Sequence, residues 1–292
     1  MIGRRNIVGL GMALPAAAAT SFATGPALSA PRGPAGAVTD VDETIWMTWY
    51  DLPEAGSAEY LSWLHGSYIP QMLRRPGYLW AAHFRRLAYP RPEVAEYAAR
   101  LQAPTNDTPG LGRGSQYVLM FGADRLETFL PAPAYKLEAA EPETAREMLR
   151  VRQGVRSSVF RDAMRQNGPA VASRPQPGPP GPRIQLGSWQ LYPGMEGEMW
   201  YWYLSGRYPQ FRRVPGGISA RTLIGLVGWA HSAILYEFET PEAHDYFTAN
   251  FEGPGVQRYM ANPGVMQPTK ISLHAPGSPM YADRIWSATA KS

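Results

Sequence analysis

A short pattern in this chain occurs twice, and that duplication limits the folds open to it. Glu59, Trp63, Pro70, Gln71, Pro76 and Gly77 recur 139 residues later as Glu198, Trp202, Pro209, Gln210, Pro215 and Gly216. These identities at one offset within nineteen residues are the signature of a duplicated structural unit. Upstream, Trp49 and Pro53 match Trp189 and Pro193 once one residue is inserted. Between the copies runs 174–183, in which five of ten residues are proline. Proline removes backbone donors and holds the chain extended, so this segment reads as a semi-rigid linker. The expected layout is a first unit over 43–173, the linker 174–183, and a second unit over 184–292.

Each copy opens on a strand (43–51 and 184–192), turns at Pro53 or at Pro193-Gly194, and enters a helix (56–73 and 196–212). Leu61, Leu64, Tyr68 and Met72 recur at three- and four-residue spacing and line one helical face. In the second copy those places hold Trp200, Tyr203, Arg207 and Phe211. Pro70 and Pro209 fall inside the pattern, so each helix is expected to kink or restart there. Pro76-Gly77 and Pro215-Gly216 then stop it. Strands are expected at 78–87 and 218–226, then at 116–122 and 232–239. Second helices follow at 141–153 and 241–250, and fourth strands at 155–164 and 270–274. The order β-α-β-β-α-β is that of a ferredoxin-like α+β unit, whose sheet has one face covered by helices and one bare. Two tandem units bury their bare faces against each other, which predicts a single-chain pseudo-dimeric α+β barrel.

The first thirty residues read as an export signal. Arg4-Arg5 precede an apolar stretch from Ile7 to Ala19, small residues follow through Ala30, and no acidic residue occurs before Asp40. The paired arginines resemble a twin-arginine signal. The expected location is therefore periplasmic or extracellular, with 31–42 a flexible segment before the first unit. The apolar stretch is too short and too interrupted to remain as a membrane span. Removing 1–30 leaves 26 basic against 24 acidic residues, a net of about +2, the basic ones scattered or paired and never in a run of five or more. A nucleic-acid partner is not expected from such scattered charge. The chain has no cysteine, which excludes disulfides, thiolate metal sites and a cysteine nucleophile. No serine-hydrolase elbow, phosphate-cradling loop or dinucleotide fingerprint occurs.

The stretch 59–77, an aromatic-rich helix ending in Tyr68-Ile69-Pro70 and then Pro76-Gly77, resembles the dimeric α+β barrel superfamily. It is most similar to the EthD-like branch, near the antibiotic-biosynthesis monooxygenases, and 116–121 and 235–238 look like that family's third strand. The resemblance implies the fold and a range of chemistries, from oxygenation without a cofactor to haem, isomerase and lyase activities. The family's helix-end histidine falls on Tyr68 in the first copy and on Arg207 in the second.

Candidate site residues follow. His65 and Tyr68 share a helical face and could transfer protons. His83 sits in the second strand with Leu79, Ala81 and Arg85 on its side, a base or haem ligand if it faces the barrel interior. Arg207 interrupts an apolar face and needs a carboxylate or a ligand anion. Trp49, Trp80 and Trp189, with His231, are the candidate walls of an aromatic pocket. His231, Glu237 and His244 have no compact ligand spacing, so no metal is expected. Haem through His83 or His231 is the one cofactor left open. The reading is an exported enzyme acting on a small apolar or aromatic molecule by oxygenation, isomerisation or bond cleavage. Its rival is a periplasmic small-molecule or haem-binding protein without catalysis. Further homo-oligomerisation is compatible with either.

Overall fold

The computed structural model of the 292-residue chain describes residues 44–105, 107–130, 137–138, 141–174, 177–252 and 271–290. The expected export signal and the segment 31–42 lie outside the described residues. The first unit runs β1 (Thr44–Asp51), α1 (Ser57–Trp63), α2 (Ile69–Leu73), β2 (Tyr78–Arg86), α3 (Pro92–Gln102), β3 (Tyr117–Ala123), α4 (Glu143–Leu149) and β4 (Gln153–Asn167). The second runs β5 (Arg183–Leu191), α5 (Glu196–Trp202), α6 (Tyr208–Phe211), β6 (Gly217–Val227), β7 (Ser232–Phe238), α7 (Pro241–Phe247), β8 (Ser272–His274) and β9 (Met280–Thr289).

The two units have the same strand order, β4-β1-β3-β2 in one and β9-β5-β7-β6 in the other. Each lends its last strand to its neighbour, β4 pairing with β6 and β9 with β2, which closes eight antiparallel strands into a barrel. Closure leaves none of these eight strands with an open edge, the reason two half-covered sheets are stable together and not apart. The duplicated α+β architecture is as the sequence predicts.

Two elements differ from expectation. The second unit's fourth strand is β9, not 270–274; within that range the three-residue β8 only extends the end of β5. β9 escapes a hydrophobicity reading because Asp283 and Arg284 interrupt it. Asp283 is held by a two-pronged pair with Arg183 at 2.6 and 2.8 Å. Helix α3 was not expected, although Val94, Ala98 and Leu101 give it a buried stripe.

The prolines inside the first helices are accommodated in the same way twice. One π-helical turn, Leu64–Tyr68, joins α1 to α2, and another, Tyr203–Arg207, joins α5 to α6. Pro70 would press against the carbonyl four residues back in a regular helix, and the wider turn relieves that contact. The turn places His65 in the first copy and Arg207 in the second. Gly77 and Gly216 then take left-handed φ values of 88° and 71°, which a side chain would resist, and turn the chain into β2 and β6.

Strand alternation divides the side chains into three cores. The barrel interior is filled, not hollow, and includes Met47, Trp49, Trp80, Phe84, Phe160, Leu186 and Met280. The outer faces carry one core under each unit's helices. Strand register also fixes how the copies correspond. Trp46 opposes Phe121 and Gln185 opposes Tyr236, so the offset of 139 that relates the helices relates β1 to β5 as well. Tyr50 is therefore the counterpart of Trp189. The match of Trp49 to Trp189 with an inserted residue is corrected: Trp49 points into the barrel, while Trp189 packs under the second unit's helices.

At one end of the interior a charged cluster holds Arg174 and Gly181. Glu237, fully buried, pairs with Arg174 at 3.1 Å and lies 3.8 Å from Arg221. It also accepts from Ser219 at 2.8 Å and from the Gly181 amide at 3.0 Å. Arg174 donates in addition to the carbonyls of Gly178 and Pro179.

Candidate functional site

Beneath α1 and the π turn of the first unit, three side chains from three elements form one hydrogen-bonded chain. His65 Nε2 lies 2.8 Å from His83 Nδ1, and His83 Nε2 lies 2.8 Å from the Tyr50 hydroxyl. β1 supplies Tyr50, β2 supplies His83, and the π turn brings His65 down onto the sheet. Tyr117 of β3 lies between the strands, its ring 5.6 Å from Tyr50 and 5.2 Å from His83. His65 is half-buried and stacks on Trp286 of β9, 5.6 Å between ring centres. Trp286 also walls a surface groove of about 730 Å³ with Pro70, Arg74, Tyr78 and Ala288.

Burial holds both imidazoles neutral. His83 is wholly buried, and desolvation, with the nearby His65 second, pushes its pKa well below 6.5. Burial lowers that of His65 too. Burial pushes the Tyr50 phenol above its ordinary value, so it stays protonated. A neutral imidazole has one N–H and one lone pair. Two arrangements are therefore open: protons point from His65 toward Tyr50, or all of them reverse. In the first, His65 Nδ1 carries the lone pair of the half-buried ring.

The structure separates the candidate residues that the sequence grouped. His65 and His83 come together, but His83 lies on the helix-covered face of β2 and not inside the barrel, because alternation sets it opposite Trp80, Ala82 and Phe84. Tyr68 stays outside the relay. It stacks on Trp63 at 5.1 Å, and its buried hydroxyl has no hydrogen-bond partner among the described residues. Trp49 and Trp80 pack the barrel interior away from this cleft, and His231 is exposed in the turn before β7. Tyr50 was not a sequence candidate. Its only signal is its parity with Trp46 and Thr48 on β1, which becomes informative once β1-β3-β2 are known to be neighbours. With both nitrogens engaged, His83 has no lone pair free for an axial haem bond, so the site does not fit haem ligation through it.

Arg207 stands 139 residues from Tyr68, in the second unit's cleft. It donates to Glu252 at 2.8 Å and to the Phe251 carbonyl at 2.8 Å, and lies over the Trp202 ring at 5.0 Å. Glu252 also accepts from Gln185 at 2.7 Å and from Tyr281 at 2.7 Å. The arginine's desolvation is thus offset within the chain by a carboxylate, one of the two partners that its place on an apolar face leaves open.

Buried neutral histidines make stability depend on acidity. Burial lowers the pKa values of His244 and His274 to about 4. Unfolded, both bind protons below about 6.5, so the unfolded state gains protons first as pH falls. Stability is full above pH 6.5 and falls toward pH 4, by up to about 1.36 kcal/mol per pH unit for each such histidine. Urea midpoints measured between pH 7 and 4 should decline across that window; a midpoint flat with pH contradicts the assignment.

Pairing of each unit's fourth strand with its neighbour, and clefts lying between helices and sheet, define a dimeric α+β barrel, here within one chain. No protein-family model and no curated protein matches the sequence. Among solved structures, the chain is similar to an anthrone oxidase-like protein, with TM-score 0.56 and 10% identity over 85% of this chain and 93% of that one. It is also similar to a provisionally named monooxygenase from Lactobacillus acidophilus, with TM-score 0.46 and 9% identity over 85% and 97% of the two chains. A provisionally named chlorite dismutase aligns with TM-score 0.41 and 12% identity over 83% and 94%.

Proposed function

We propose that the chain is an exported enzyme that removes a proton from a small aromatic molecule, with His65 as the catalytic base. The observation that carries this reading is the Tyr50–His83–His65 chain, which links a buried phenol to a half-exposed imidazole through a fully buried one. A buried histidine bridging two polar side chains makes no apolar contact that a leucine would not make better; its value lies in moving or holding protons. The substrate lies against His65 and the Trp286 ring on which it stacks, the ring that also walls the groove. His65 Nδ1 takes an acidic C–H or O–H proton, and the positive charge is shared through Nε2 with His83. His83 and Tyr50 act through His65 as positioning residues.

An aromatic ketone with an acidic methylene suits this step, since its anion is spread over the ring system. Dioxygen can oxidise such an anion; a methylene converted to a carbonyl takes its new oxygen from dioxygen, whose other atom leaves in water. The fold shared with an anthrone oxidase-like protein supports the choice of test compound. The mature chain is expected to convert anthrone to anthraquinone in air above the uncatalysed rate, consuming one dioxygen per anthrone. His65→Ala should lose about 10²–10⁴-fold of that enhancement. Turnover by His65→Ala equal to the parent, or anthrone returned unchanged by the parent, overturns the proposal.

A further inference from the structure

The common offset of 139 shows that the second unit lacks the relay at every position. Tyr50, His65 and His83 correspond to Trp189, Leu204 and Thr222. None of the three replacements titrates, and Thr222 is taken up by a hydrogen bond with Tyr208. The second cleft is nevertheless not packed solid. It holds a half-open cavity of about 70 Å³, about half the volume of an enclosed cavity that takes benzene, so a planar ring would fill it and project from its mouth.

The cavity's lining defines what fits. Trp189, Trp202, Tyr203 and Tyr236 supply aromatic walls. Trp189 Nε1, the Tyr236 hydroxyl and Arg207 Nε all belong to cavity-lining side chains. All three are buried and have no hydrogen-bond partner among the described residues. A buried donor without a partner costs on the order of 1–3 kcal/mol, so three at one cavity call for an acceptor that the described residues do not supply. The charge is already balanced, because Glu252 neutralises Arg207 at 2.8 Å. An anion would have to compete with that carboxylate, whereas an uncharged carbonyl oxygen would not.

Two features keep the space open and cover it. Gly187 replaces Thr48 in the sheet floor, and a Cβ there would come within 2.9 Å of the Trp189 ring. Helix α3 of the first unit contributes Tyr97 and Leu101 to the cavity wall. It is fastened to the second unit by Arg91 to the Thr248 carbonyl at 2.9 Å and Gln102 to the Ser278 carbonyl at 2.9 Å.

We infer that the second cleft is a separate, non-catalytic binding site for a small, uncharged, planar aromatic carbonyl compound, capped by α3. The inference goes beyond the proposed function and stands without it, since it uses none of the relay residues.

The test is calorimetric titration of the mature chain with 1-indanone, with indane and benzoate as comparisons. 1-Indanone should bind at one site, and indane and benzoate each at least about tenfold more weakly. Tyr236→Phe and Trp189→Phe should each weaken 1-indanone by about tenfold, the loss of one buried hydrogen bond. Tyr97→Ala, on the cap and away from the sheet core, should weaken it too and keeps the test open should a core variant not fold. His65→Ala should bind 1-indanone as the parent does. Equal binding of indane, tighter binding of benzoate, or unchanged affinity in Tyr236→Phe or Tyr97→Ala overturns the inference. So does loss of binding in His65→Ala, which would place the ligand in the first cleft. Failure of anthrone turnover with 1-indanone binding intact would overturn the catalytic proposal alone.

Discussion

Replacing His83 with Phe is expected to lower kcat for anthrone by about 100-fold with KM nearly unchanged. The ring volume is kept, so the packing against Tyr117 persists while both hydrogen bonds are lost. His65 then has no acceptor for its Nε2 proton, and the imidazolium formed on taking up the substrate proton is less well stabilised. The acid limb of the kcat profile follows the His65 pKa. Burial already sets that below 6.5, and it should move lower still in His83→Phe. His83→Asn offers an acceptor near the Nδ1 position and should recover about tenfold of the loss. A purely structural histidine would change thermal stability and leave the pH profile in place. A kcat within about twofold of the parent in a folded His83→Phe variant, or an acid limb that does not move, rules out the relay.

The largest stability effect is expected at Glu237, which belongs to neither cleft's chemistry. Its carboxylate is fully buried among Arg174, Arg221, Ser219 and the Gly181 amide. Glu237→Ala removes the carboxylate that Arg174 meets at 3.1 Å, while Arg221 keeps its pair with Asp162 at 3.1 Å. Breaking a buried ion pair from one side costs about 3–5 kcal/mol, which for a chain of this size lowers Tm by about 10 °C. The same change frees the Gly181 amide, so the 174–183 segment should become more susceptible to proteolysis than in the parent. A Tm loss below about 2 °C, with no gain in cleavage there, would show that Glu237 does not anchor the barrel interior. Glu237→Gln, which keeps the shape and can still accept from Ser219, should lie between parent and alanine variant.

Much of the architecture is legible from residues alone. A repeated motif at one offset implies two like units, and alternation with helical spacing implies one covered sheet face in each. The bare faces must then meet, because apolar surface of that extent cannot stay in water. The strand β9 is less legible. Its Asp283 breaks the apolar pattern, and the arginine that satisfies it, Arg183, comes from a strand one hundred residues earlier in the chain.

Local spacing is enough to establish the duplication, the α+β class, the places where proline interrupts each first helix, and His65, His83 and Arg207 as polar residues in apolar surroundings. Helical and strand periods act over a few residues, so a linear reading captures them. Which polar residues meet is a different matter. Tyr50 and His83 are separated by 33 residues and lie on strands that do not pair, with β3 between them. A single-residue change in strand register would move Tyr50 to the barrel interior and leave His83 without it. The same register made Tyr50, not Trp49, the counterpart of Trp189, and so made the two clefts chemically unlike. Contacts across a barrel depend on strand order and closure, which no local pattern encodes.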